Sequence, residues 1–244
     1  MLEQRIPSSR NRFTGADLNF LATVLAPGEQ RLHLEKLWCD PDARREMLDL
    51  KEVFRGLLQS TCAIQVSPRF YFYVLVRHAF LDAGVSAPDL AEYVAGVMTQ
   101  RISPSPDDRL QDVVRGFTHA SDFVAIISQA QGRMRFHLQV AAGNQFLVLT
   151  GLFPTFLKRR SETCGAPDVE FYEAFAQHSF REAASNRSVP GPASRRLLGS
   201  LADAMPTARR SLNRVAEEFV FWGTDSNHMI EPHQTGFLLR CRYL

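Results

Sequence analysis

The stretch Ser67-Pro-Arg-Phe-Tyr-Phe-Tyr-Val-Leu-Val-Arg77-His-Ala-Phe-Leu-Asp-Ala83 decides the fold. Serine followed by proline is the grammar of a helix start. The hydroxyl accepts from the first unpaired N–H groups, and the imino acid sits where no N–H is needed. From Phe70 to Val76 every residue is apolar or aromatic, and Gly84 ends the run. A helix apolar in all directions has no face to give to water, so other helices must enclose it. Phe146-Leu-Val-Leu149 has the same character. Two enclosed helices need more neighbours than a four-helix bundle provides, and a multilayer arrangement is expected.

Working outward, helical periodicity dominates and strand alternation is nearly absent. Thr14 is a candidate N-cap for a helix over 15–26, which Pro27-Gly28 ends, and a short helix follows over 29–38. Asp40-Pro41 opens a helix expected to run to Gln59. Further helices are expected over 68–83, 88–100, 108–131, 133–149, 167–184, 195–204 and 206–222. The stretch 102–108, with Ser103-Pro-Ser-Pro106, reads as an internal linker. The expected architecture is an all-α, single-domain bundle of about nine to ten helices with two buried at its centre. A flexible leader (1–13) precedes the helical domain (14–223), and an irregular tail (224–244) follows it.

Composition excludes several classes. Of 244 residues, 45% are hydrophobic and 22% charged, the balance of an ordinary globular chain. Lys and Arg number 28 against 26 Asp and Glu, a net charge of +2, too small an excess for a dedicated nucleic-acid binder. The arginine pairs 44–45, 159–160, 195–196 and 209–210 read as solvated faces or salt-bridge partners. Cys39, Cys62, Cys164 and Cys241 are scattered and form neither a zinc ribbon nor a disulfide scaffold. The uncharged run from Phe136 to Leu157 contains His137, Gln139, Asn144, Gln145 and Pro154, which hydrocarbon penalises. It reads as a buried helix rather than a membrane span, and a cytoplasmic location is expected.

No phosphate-binding loop, dinucleotide fingerprint, zinc-protease helix or nucleophile elbow is present. Asp107-Asp108 fits a helix first turn better than a magnesium site. His228, Glu231 and His233 are ligand types, but Pro232 breaks their spacing. His119 and Asp122 share a helix face and suit a structural hydrogen bond more than acid–base work. No metal and no cofactor is therefore expected.

The unusual placements are Arg77, with Tyr73, Val74, Phe80 and Leu81 one turn away, and Asn144, among Val140, Ala141, Leu147 and Val148. A buried charge needs partners. The structural reading ties Arg77 to a carboxylate such as Asp122 and to helix-end carbonyls. The functional reading is a polar pocket lined by Arg77, Asn144, His178 and Tyr172.

The stretch from Ser67 to Arg77, and Gly151-Leu-Phe-Pro154 followed by the Phe171-Tyr172 helix, resemble a group of uncharacterised bacterial all-helical proteins. The resemblance covers roughly 40–184. Those proteins often carry Gly-Asp where this chain has Gly143-Asn144, a departure that removes one candidate charge partner. The resemblance implies a bacterial, helical, cytoplasmic protein and carries no activity with it. The leading functional expectation is a non-catalytic scaffold or adaptor that binds another protein. A small-molecule- or cofactor-binding bundle around Arg77 and Asn144, catalytic or not, is the alternative.

Overall fold

A computed structural model describes residues 13–26, 31–59, 66–102, 119–219, 221–222 and 239–240. Among the described residues there are eleven α-helices, and one antiparallel pairing joins Phe221–Trp222 to Leu239–Arg240. The all-helical class holds. The chain divides into two compact units, residues 7–99 and 100–240 with a few terminal residues each. The two enclosed helices, expected at one centre, belong one to each unit. Periodicity reports that a helix is enclosed, not which helices enclose it.

The first unit holds α1 (Gly15–Leu25), α2 (Arg31–Cys39), α3 (Pro41–Leu48), α4 (Lys51–Gln59), α5 (Pro68–Asp82) and most of α6 (Pro88–Ile102). Caps set these helices. Asp40 Oδ1 accepts from the Asp42 amide at 2.9 Å, and Ser67 Oγ accepts from Phe70 N at 3.2 Å. Gly84, at φ 77°, turns the chain out of α5 while Val85 N returns to Phe80 O and Gly84 N to Leu81 O. One helix was expected over 41–59, but the chain breaks at Asp49-Leu50. The sequence carries no Pro or Gly there, and the reason is tertiary, given below.

Asp17 joins two of these starts. Its carboxylate accepts from Thr14 N at 2.7 Å, closing a capping box on α1. It also accepts from Ser67 N at 2.6 Å and Ser67 Oγ at 2.8 Å, at the head of α5. Asp17 is fully buried, and these donors offset its desolvation. Phe13 packs beside it, with ring centroids 5.6 Å from both Trp38 and Phe70.

The second unit holds α7 (Ala120–Gln129), α8 (Gly132–Leu152), α9 (Pro154–Cys164), α10 (Val169–Ser185) and α11 (Gly191–Phe219). From Phe136 to Leu152 every residue of α8 is buried, and it packs against α7, α9, α10 and α11. Three expectations are corrected here. The helix expected over 108–131 has a start at Ala120, because His119 is extended and its N–H donates to Asp122. The buried helix expected through Leu157 ends at Leu152, and Pro154 opens a new helix, α9, as a first-turn residue. The separate helices expected over 195–204 and 206–222 are one, with Pro206 inside it.

Among the described residues no single helix is long and apolar enough to cross a membrane. α8 and α9 meet that condition only together, across a 91° bend.

Candidate functional site

Arg77 lies on a helix buried on all sides, so its guanidinium must be matched from neighbouring segments. Its Nε donates to Asp49 Oδ1 at 2.7 Å and its Nη2 to Asp49 Oδ2 at 2.6 Å, a bidentate fork. Nη1 donates to Ser86 O at 2.8 Å. The carboxylate partner is Asp49, not Asp122; Asp122 belongs to the second unit and caps α7. The next residue, His78, places Nε2 3.2 Å from Leu48 O and stacks on Phe54 with centroids 4.7 Å apart. Burial holds the His78 pKa below its usual value, against the pull of the Leu48 carbonyl and of Asp49 and Asp82. The neutral ring therefore donates from Nε2. Arg77 and His78 together grip Leu48-Asp49, and that grip explains why the chain leaves helix α3 there.

In the second unit, Tyr172 stacks on Phe146 at 5.1 Å and 16° and is buried with it. Burial raises the Tyr172 pKa, with Arg160 opposing and Asp122 reinforcing the shift. Asn144 is buried on α8 beside Gln145, and Gly143 lets the ring of Phe180 approach the α8 backbone. Asn213 of α11 donates to the carbonyls of Thr150 and Gly151, two acceptors that the end of α8 leaves unpaired. His178 is exposed on α10. Of the four residues of the expected pocket, Arg77 belongs to the first unit, Asn144 and Tyr172 are buried in the second, and His178 is exposed on α10.

No protein-family model, no curated protein and no solved structure matches the chain. The side chains themselves must carry any functional reading.

Three polar residues with structural or site potential escaped sequence reasoning. Asp17 was signalled by Thr14-x-x-Asp17, a capping-box pattern. Gln177, which donates to Ala202 O at 2.9 Å, had no local signal. Arg101, at the end of α6 and within the second unit, donates from Nη2 to Gln145 Oε1. Of the arginine pairs, Arg209 meets Glu173 in a salt bridge as expected, whereas Arg195 donates to Ala184 O and Arg44 lies over the Trp38 ring. Among the described residues no three ligand-type side chains converge as a metal would require. Cys39 and Cys164 are exposed free thiols. Cys62, Cys241, Asp107, Asp108, His228, Glu231 and His233 lie outside the described residues.

Proposed function

We propose that the chain is a non-catalytic helical interaction protein that docks another protein on the open side of α7. The supporting observation is the apolar surface there. Ala120 and Phe123 turn inward, while Val124 is 54% exposed, Ala125 is exposed, and Ile126 and Ile127 are half-buried. Met134, 41% exposed at the start of α8, adds to it. Exposed apolar side chains gathered on one helix suit a partner better than water does.

Cations stand at both ends of α7. Arg160 lies 3.5 Å from the His119 ring at its start, and Arg135 is exposed one turn into α8 beyond its end. The partner inferred from this is an amphipathic protein segment with acidic residues flanking its apolar side. Displayed peptide libraries test the reading. Enrichment of apolar segments with acidic flanks, lost on Val124→Glu, is the expected result. No enrichment, or enrichment indifferent to Val124→Glu, overturns it. We also infer a bacterial cytoplasmic setting, which rests on the resemblance noted above.

The alternative expectation, a small-molecule-binding bundle around Arg77 and Asn144, draws no support from Arg77, whose guanidinium donates to Asp49 and to Ser86 O.

A further inference from the structure

The charges of the second unit are laid out unevenly along its helices. Acids mark the heads of α7 and α10 and the end of α11, as Asp122, Asp168 and Glu218 do. The other end is made by the start of α8 and the turn from α10 into α11. Two contacts bring these segments together. Asn186 Nδ2 donates to Gln139 Oε1 at 3.4 Å, and a Cβ on Gly132 would lie 3.9 Å from Ser188 Oγ. Arg133 and Arg135 are exposed on the first segment, and Arg187, Arg195 and Arg196 on the second. From Phe123 to Ser161, and again from Ala183 to Ala202, the sequence contains no acid. Arg195 Nη1 donates to Ala184 O at 2.9 Å, a neutral acceptor that leaves the charge in place.

We propose that this arginine end seats the second unit on an anionic lipid surface, as a peripheral contact. Guanidinium forks match the paired oxygens of headgroup phosphates. Met134, 41% exposed between Arg133 and Arg135, is apolar, as are the exposed Pro190, Pro192 and Ala193 of the turn. The boundary between headgroups and acyl chains takes up such side chains, whereas a nucleic-acid backbone offers them nothing. That difference favours lipid over nucleic acid. Screening confines the attraction to about 10 Å at ordinary ionic strength, so the charge of the facing end decides. The net charge of +2, spread over the whole chain, does not. Arg133, Arg187, Arg195 and Arg196 take no part in the α7 reading, and this contact does not rest on it.

Cosedimentation of the full chain with vesicles tests it, using phosphatidylglycerol and phosphatidylcholine in equal parts, with pure phosphatidylcholine alongside. The expected result is binding to the anionic vesicles, weakened by added salt, and none to the neutral ones. Arg187→Gln with Arg196→Gln, both at exposed positions that tolerate exchange, lowers the partition coefficient at least about tenfold. Arg133→Gln with Arg135→Gln, on the other segment, does the same. Lys158→Gln with Arg159→Gln makes the same change in net charge on α9, beyond the far end of α8, and leaves partitioning within about twofold. Three outcomes overturn the proposal. They are no binding to anionic vesicles, an equal loss in the α9 variant, or a short DNA duplex bound more tightly than the vesicles and released by Arg187→Gln with Arg196→Gln. The last outcome would assign the arginines to nucleic acid.

Discussion

The side-chain amide of Gln177 donates to the carbonyl of Ala202, the acceptor that Pro206 leaves without its helical donor. Proline has no N–H to give four residues back, and an interior proline ordinarily ends or kinks a helix. Here α10 supplies the missing donor from outside, and α11 continues to Phe219.

Removing that donor therefore costs more than an average side-chain bond. Gln177→Leu is expected to destabilise by about 1–3 kcal/mol, the cost of a carbonyl left unpaired. In a Pro206→Ala background the backbone supplies its own N–H, and the same substitution costs about 1 kcal/mol less. Denaturant unfolding of the four proteins in the cycle checks this. Equal costs in both backgrounds would show that the bond does not compensate the proline.

Arg77→Leu removes every donor facing Asp49 and Ser86 and is expected to cost on the order of 3 kcal/mol. The side chain is 6% exposed and that of Asp49 is 31% exposed, so the arginine end of the pair is the sheltered one. Arg77→Lys rescues in part, because an ammonium cannot reproduce the fork. Chemical denaturation is the measurement; an unchanged midpoint in Arg77→Leu contradicts the role assigned here.

His78 links this junction to pH. The folded protein takes up the His78 proton at lower pH than the unfolded chain, whose value is 6.5. Below 6.5 the unfolded state therefore binds more protons, and stability falls with acidification until the folded-state pKa is passed. The contribution is fully present above 6.5. Melting followed from about pH 7.5 to about pH 5 should show a shallower decline in His78→Gln than in wild type. Parallel declines would assign the acid sensitivity to other groups.

Gly143→Ala tests the α8–α10 packing. An added Cβ would lie 2.5 Å from Phe180 Cε1, and Phe180 is fully buried, so the ring has nowhere to swing. A loss of about 1–3 kcal/mol is expected, partly relieved by Phe180→Leu. Urea unfolding reads both. A neutral Gly143→Ala would mean that the two helices separate freely.

What was legible in the sequence was local. Asp40 and Ser67 cap the helices they were expected to cap, and both buried helices were visible as unbroken apolar runs. What misled was punctuation whose meaning depends on distant partners. Pro206 looks like the start of a new helix until Gln177 is found beside Ala202, and Asp49 looks like mid-helix until Arg77 reaches it. The run through Pro154 was read as one buried helix, although proline commonly begins a new one, as it does here. The burial of Arg77 followed from its apolar neighbours, but its partner stands 28 positions away, beyond any periodic signal. Arg101 adjoins the stretch read as a linker, where a single cation attracts no notice.

The carboxylate of Asp17 serves the first turn of its own helix and that of α5, whose cap Ser67 lies 50 residues on in sequence. The head of α5 is not complete until the chain between them has closed, a step whose entropic cost grows only slowly with loop length. Local fraying of α1 alone would strand Ser67 and Asp17 together, so the two helix heads should open as one event. In hydrogen exchange, the amides of Thr14 and Ser67 would then share one opening free energy, although nothing in their immediate sequence connects them.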